Sequence, residues 1–469
     1  MKSCHCPIRP INLLVLLPLL TGCFSEGSFP MVETDLTPFP VRDVVMSRRP
    51  DTMSWVEAYA PRLEPRLPAG QRGALTGSTV VLPDVATIDV MRHFHTSAAA
   101  VDNIFGNYRG LAPTAQVIPA DENEDAAINW IGFEPVQIRM RDQLPMIGYL
   151  AAPTRRPIPG SYIVITHGLF GSQAGHDAHN VADAMRALGH HVLAVEMRGH
   201  GATGKLNPQY PILFGAGEVD DLLTLSRWLR QEQHATRVGL ISFCITAQEA
   251  MAAAWVDGGG AARENQDSPI IRSLPRADAL PAYNGGIVAI CPPMNLISYA
   301  DSLETRHNIL QSPVRSTFEN RVAARFAAFG HAPQTSMWKY VSFELSRSAR
   351  CAEYANDRAF LIDTLSFIDF SGDGWKTGAR RLEYVRTPLL VIHAANDPLG
   401  SAQATTEVLS RVSNRNVGYL LLPGGGHMGF SALSAPYYYS VLRAFFDPET
   451  CPQPHLPVRV AFAEQATAM

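Results

Sequence analysis

Charge is scarce in this sequence, and neither sign accumulates. Of 469 residues, 17% are Asp, Glu, Lys or Arg, and 43 acidic against 39 basic side chains leave a formal net charge of -4. No long single-sign run disturbs that balance and no nucleic-acid motif accompanies it, so a small molecule is the expected partner rather than a polyanion. An internal repeat of solenoid type is also missing, which excludes stacked-array architectures. No cofactor signature is found, so a chemistry that needs no cofactor is expected. The apolar run at the N-terminus, Ile11 to Leu20, is too short to span a bilayer. Cysteine is sparse, with seven in all. What is abundant is apolar: 46% of the residues are hydrophobic, enough to fill a large core and to exclude wholesale disorder or a fibrous chain.

Lys2 and Arg9 ahead of that short run give residues 1–22 the form of a targeting signal. Leu20-Thr21-Gly22-Cys23 closes it and resembles the lipobox of bacterial lipoproteins. The resemblance implies that Cys23 is lipidated and becomes the mature N-terminus. The body would then be exported and lipid-anchored to a bacterial membrane, facing the periplasm or the cell exterior. Several acyl chains, each contributing roughly 0.8 kcal/mol per buried CH₂, would hold a soluble domain there. Four cysteines remain in the body, Cys244, Cys291, Cys351 and Cys451; they allow three full pairings, or free thiols.

From residue 24 to about 126, prolines and small residues dominate without sustained periodicity. This predicts an extended arm with one or two short helices, such as Val85 to Phe105, within an N-terminal extension of residues 23–132. Two β-rich runs between Phe133 and Ala152 flank Arg141-Asp142-Gln143, a hairpin pattern that opens the domain of residues 133–446. Short apolar runs then follow: Tyr162 to Thr166, Val192 to Glu196, Val238 to Ser242, Gly286 to Cys291, Leu389 to His393 and Val417 to Leu422. Amphipathic segments alternate with them, notably Asp177 to Leu188, Glu218 to Arg230 and Thr246 to Trp255. The alternation predicts an α/β fold with a mostly parallel, doubly wound sheet covered on both faces. Aromatic-rich, helical-looking sequence over residues 295–381 interrupts it as a cap insertion, and residues 447–469 form a tail.

The predicted strand ends carry His167-Gly168-Leu169-Phe170-Gly171, Arg198-Gly199-His200-Gly201, Ser242-Phe243-Cys244-Ile245-Thr246, Asn396-Asp397-Pro398 and Gly425-Gly426-His427-Met428-Gly429-Phe430. Five such motifs in this order, over residues 133–446, resemble the α/β-hydrolase family. The last two are similar to its branch of esterases and acylglycerol lipases. A nucleophile at a sharp strand-to-helix turn projects above the sheet, where the helix N-terminus favours developing negative charge. The family writes this elbow as Gly-x-Ser-x-Gly. Here Ser242, Cys244 and Thr246 replace the first glycine, the serine and the second glycine, and Thr246 is the bulkiest departure. Dienelactone hydrolases and polyhydroxyalkanoate synthases are similar in carrying cysteine at the centre, and a thiolate beside a histidine is a strong nucleophile.

What the resemblance implies is a triad in chain order: Cys244 attacks, Asp397 orients, and His427 takes and returns the proton. The backbone N–H groups of Leu169 and Ile245 would form the oxyanion hole. His167 is expected to shape its loop, and Arg198 to Gly201 to be structural. His176 and His179, three apart near a helix start, lack a third ligand at convincing spacing, so no metal is expected. Cys291 ends the strand after the elbow strand; neighbouring strands would bring it beside Cys244, and a disulfide there needs Cα atoms within about 7 Å. The expected reaction is hydrolysis of a carboxylic ester or thioester. Acyl transfer by the same cysteine and an inactive hydrolase-fold binding protein stand as alternatives.

Overall fold

The computed structural model describes residues 75–76, 79–81 and most of 130–446, without 262–278, 306–311, 372–377, 395–396, 423–426, 431–437 and a few single positions. The signal segment, Cys23, the expected helix at Val85 to Phe105, Asn396 and Cys451 lie outside the described residues.

Ten strands form one sheet in the order β1-β2-β10-β9-β8-β7-β5-β6-β4-β3. In chain order these are β1 (Leu75–Thr76), β2 (Thr79–Val81), β3 (Phe133–Arg139), β4 (Pro145–Ala151), β5 (Ser161–Ile165), β6 (His191–Val195), β7 (Arg237–Phe243), β8 (Gly286–Ile290), β9 (Leu389–Ala394) and β10 (Val417–Leu422). The pairs from β6 through β5, β7, β8, β9 and β10 to β2 are all parallel; β3, β4 and β6 pair antiparallel, as do β1 and β2. The hairpin expected at Phe133 to Ala152 is therefore present, as are all six predicted strands. The arm differs from expectation: it is not only extended chain and helix, because β1 and β2 add two short strands beyond β10.

Every described residue of β5, β8 and β9 is buried. Successive side chains on these strands enter opposite cores: Val164, Leu240, Ala289 and Val391 on one face, Ile165, Ile241, Val288 and Leu390 on the other. That two-residue alternation within unbroken apolar runs is what a sheet covered on both faces requires. Helices α1 (His176–Ala187), α2 (Gly201–Leu206), α3 (Ala216–Glu232) and α4 (Ile245–Asp257) connect the strands. Helix α4 is buried along its whole length, its polar residues Gln248 and Glu249 included, and its alanines permit close packing behind β7. The cap comprises α5 (Leu296–Thr305), α6 (Ser312–Ala328), α7 (Met337–Ser346), α8 (Arg358–Ser366) and α9 (Gly378–Leu382), followed after β9 by α10 (Ala402–Leu409). Cap residues Leu296, Val322 and Tyr340 share the core that contains Val164 and Leu240. Among the described residues no helix is long and apolar enough to cross a membrane.

The chain runs from β5 outward to β6 and returns to β7 on the other side of β5. Such a reversal opens a crevice at the carboxyl ends of the strands, where ligands of open α/β sheets bind. Leu169 follows β5, Cys244 follows β7, Asp397 follows β9 and His427 follows β10, so the four come to that one edge from separate strands.

Candidate active site

Cys244 stands between β7 and α4 with φ 56° and ψ -127°. A side chain at positive φ is strained by about 1–3 kcal/mol and persists only where its surroundings enforce it. Three other non-glycine residues with positive φ, Phe170, Cys291 and Met428, also occupy loops at the carboxyl edge of the sheet. At the elbow the enforcement is visible. The Cys244 N–H donates to Ile290 O at 2.9 Å, and the Ala247 N–H donates to Cys244 O at 3.0 Å. Cys244 itself is half-buried.

The departures from the family's elbow pattern form bonds. Thr246 Oγ1 donates to His167 O at 2.5 Å, and Thr166 Oγ1 donates to Ser242 Oγ at 3.0 Å. Both hydroxyls tie the elbow to the end of β5, so Thr246 is accommodated. The close approach is instead provided by Gly168, where a Cβ would lie 2.7 Å from Cys244 Cβ. The glycine requirement falls on the loop after β5 that faces the elbow.

Two histidines pin the loop of residues 167–171. His167 Nδ1 donates to Gly168 O at 2.8 Å, and its Nε2 accepts the Met197 N–H at 3.0 Å. His200 Nδ1 donates to Arg198 O at 2.8 Å, and its Nε2 accepts the Phe170 N–H at 3.0 Å. Each ring accepts at one nitrogen and so is neutral. Burial accordingly pushes His167 down to about 4 and His200 well below the usual imidazole range. With Phe170 N–H thus engaged, the Leu169 N–H is left without a backbone acceptor among the described residues. Ile245 is the first residue of α4, and its N–H has no acceptor within its own helix. These are the two donors the sequence singles out.

On the other side, His427 Nδ1 lies 3.1 and 2.9 Å from the two Asp397 oxygens. Asp397 Oδ1 also accepts the Leu399 and Gly400 N–H groups at 2.8 and 3.0 Å. Burial alone would make Asp397 harder to ionise, but His427 and these donors hold its carboxyl below the usual range. Burial alone would likewise lower His427. The Asp397 charge, the Cys244 thiol and hydrogen bonding to both overcome it and raise the imidazole to about 10. His427 Nε2 is buried and completes no strong hydrogen bond; its neighbour is the Cys244 thiol. The structure thus brings Cys244, His427 and Asp397 together.

Two further neighbours of this line, His393 and Tyr299, were not singled out as site residues by sequence. His393 Nε2 is 3.7 Å from Asp397 Oδ2 and is kept neutral by burial, which lowers it to about 4. The hydroxyl of Tyr299, on cap helix α5, is buried; burial first, then the Cys244 and Asp397 charges, push it upward. Cys244 and Cys291 follow strands in register at Phe243 and Ile290, yet both are free thiols, as is Cys351. Burial and the Asp397 charge raise the Cys291 thiol, which hydrogen-bonds Asp397 instead of bridging to Cys244.

Cys291, Asp397 and His427 place ligand-type atoms within 4.8 Å of one another. The thiol is held protonated and the other two engage each other, so the trio works as a hydrogen-bond chain. Of the two histidines near the start of α1, His179 stacks on Trp130 at 4.3 Å and pairs with Asp183 at 3.2 Å. Arg198 makes two bonds to Asp221, at 2.9 and 2.8 Å, and one to Asp142 at 2.8 Å, which makes its loop structural.

The chain belongs to the α/β-hydrolase family, whose sequence profile matches residues 163–436. No curated protein matches the sequence. Solved structures of similar fold include an esterase of Pyrococcus furiosus, 16% identical, with 70% of this chain and 96% of that chain covered and a TM-score of 0.41. A puromycin-hydrolysing peptidase of Mycobacterium tuberculosis is 14% identical over 69% of this chain and 41% of that one, with a TM-score of 0.42. An α/β serine hydrolase without a lid from Xanthomonas campestris is 15% identical over 68% of this chain and 94% of that one, with a TM-score of 0.36.

Proposed function

We propose that this protein hydrolyses a carboxylic ester or thioester through an acyl-thioenzyme on Cys244. The observation that carries the reading is the line from Asp397 through His427 to a thiol held at a strained strand-to-helix turn. The Cys244 thiolate, with its proton on His427, attacks the carbonyl carbon, and the N–H groups of Leu169 and Ile245 hold the oxyanion. On collapse the leaving alcohol or thiol takes the proton from His427. Water then gives a proton to the neutral imidazole as it attacks the thioester, and the acid is released with Cys244 restored. Asp397 orients His427 and stabilises its cation in both halves.

The test is turnover of short and medium nitrophenyl esters and thioesters by wild type, Cys244→Ala and Cys244→Ser, with products identified with and without an added alcohol. Hydrolysis lost in Cys244→Ala supports the reading. Equal turnover in Cys244→Ala would move the nucleophile elsewhere, and ester formed with the added alcohol in preference to acid would make the enzyme a transferase.

The tether is part of the same proposal: Cys23, lipidated after removal of residues 1–22, would hold the enzyme at a bacterial membrane, facing the periplasm or the cell exterior. Labelled palmitate should enter the wild-type chain in a bacterial host and fail to enter Cys23→Ala. Label in both, or in neither, contradicts the anchor.

A further inference from the structure

The loop after β5 closes as a four-residue turn from Gly168 to Gly171, in which the Gly171 N–H donates to Gly168 O at 2.9 Å. The Leu169 N–H belongs to the same peptide unit as Gly168 O. In a trans peptide those two groups point in opposite directions. The turn bond, with the bond from His167 Nδ1 to Gly168 O at 2.8 Å, therefore sets the line along which the Leu169 N–H is aimed. The third residue of the turn, Phe170, has φ 59°. Glycine takes that conformation without penalty, whereas a phenylalanine is strained in it and stays only where its surroundings over-determine it.

Those surroundings come mostly from the cap. Arg321 of α6 is 5% exposed, and its Nη1 donates to Phe170 O at 2.6 Å. Among the described residues no backbone N–H donates to that carbonyl. The Phe170 ring meets Phe318 of α6 edge-on, with centroids 5.4 Å apart at 70°, and lies 5.3 Å from the ring of Tyr340 on α7. The Phe170 N–H is held instead from the loop after β6, donating to His200 Nε2 at 3.0 Å. That bond needs a neutral imidazole. Burial does most to keep His200 so, and the guanidiniums of Arg325 and Arg321 act in the same sense.

We propose that Arg321 is a positioning residue for the reaction: its guanidinium holds Phe170 in the turn that aims the Leu169 N–H at the oxyanion, so the cap as well as the sheet sets the hole. This rests on the esterase reading above, in which the Leu169 N–H is a donor. A guanidinium suits the task because its bond to a carbonyl is charge-assisted and its planar fork loses little freedom on bonding. Without it Phe170 can relax toward negative φ, the turn bond opens, and the Leu169 N–H swings with its peptide. Arg321 thus acts through the turn and not on the substrate. Because the hole binds the oxyanion more tightly than the ground-state carbonyl, a misaimed donor costs rate more than substrate affinity.

The test compares wild type, Arg321→Gln and Arg321→Lys on an ester and the thionoester with the same acyl and leaving groups. The thiono sulfur accepts hydrogen bonds poorly, so the hole contributes less to its hydrolysis. In Arg321→Gln, kcat for the ester should fall about tenfold or more, with KM changed less than about threefold. The ratio of kcat/KM for ester over thionoester should fall roughly fivefold or more. Arg321→Lys, which keeps a charged donor, should recover part of both losses. A loss shared equally by the two esters, or confined to KM, would mean that Arg321 only packs the cap, and it overturns the proposal while leaving the esterase reading intact. If circular dichroism shows Arg321→Gln unfolded, Phe318→Leu decides by the same ratio: a fall of about threefold or more supports the proposal, and an unchanged ratio overturns it. If wild type turns over neither ester, the esterase reading itself fails and takes this proposal with it.

Discussion

His167, in the loop after β5, and His427, in the loop after β10, are both buried, 4% and 0% exposed, yet they are held in opposite states. His167 donates at Nδ1 to a backbone carbonyl and accepts a backbone N–H at Nε2, with Glu196 Oε2 3.6 Å away and not hydrogen-bonded to it, and burial keeps it neutral at about 4. His427 meets the same desolvation, but the carboxylate of Asp397 lies 2.9 Å from its Nδ1 and raises it to about 10. Burial alone therefore does not decide whether a histidine does chemistry. The partner on the far nitrogen does: one ring becomes a strut for the loop, and the other is charged as the proposed proton carrier must be.

The sharpest way to break that contrast is Asp397→Asn. It removes the charge that raises His427, so kcat/KM should fall by about 10³–10⁴. In the proposed mechanism the imidazolium supplies the leaving group's proton, so activity should hold through neutral pH and decline as pH approaches about 10. In Asp397→Asn that alkaline limb should move down toward the ordinary imidazole range, and a limb that stays in place contradicts the assignment.

The neutral histidines predict an effect of opposite sign on stability. The folded values of His167 and His393, about 4, lie below the ordinary 6.5, so the unfolded chain takes up protons first as pH falls. Their stabilising contribution is complete above pH 6.5 and is lost on descent to about 4, by up to about 3 kcal/mol each. His427 contributes the reverse: full stability below 6.5, lost as pH rises through about 10. Urea midpoints at several pH values should fall from 6.5 to 4.5, and they should fall less steeply in His167→Gln; parallel curves would remove His167 from this account.

A smaller effect is expected at the strut itself. His167→Ala leaves Gly168 O and Met197 N without the ring and loosens the Leu169 N–H, so kcat should drop about 10–100-fold with KM changed less. A loss confined to KM would count against a role in holding the donor. The smallest change is at the elbow: Thr246→Val removes the bond to His167 O and should lower stability by about 1–2 kcal/mol in urea denaturation. Thr246→Gly, which restores the family's usual residue, should be no more stable than wild type, because the close approach is made at Gly168.

The apolar runs of β5 to β10 were legible because strands buried on both faces leave unbroken hydrophobic stretches between glycines and helix patterns. The order Cys244, Asp397, His427 was legible because each follows such a run. Strands β1 and β2 were not, since two or three residues carry no periodicity and their pairing partner is far along the chain. Nor could spacing show that Thr246 and Ser242 would spend their hydroxyls on the end of β5. Tyr299 reaches the site from the cap, and Cys291 turns to Asp397 because burial keeps its thiol protonated. Both depend on tertiary placement that a linear motif does not encode.

The most direct test is the covalent intermediate. Intact-mass and peptide mass spectrometry after rapid acid quench of wild type with a medium-chain nitrophenyl thioester should show one acyl group on Cys244. Asp397→Asn should show the same adduct forming more slowly, and Cys244→Ala none. Turnover with no acyl group on Cys244, or an adduct on another residue that persists in Cys244→Ala, would contradict the account.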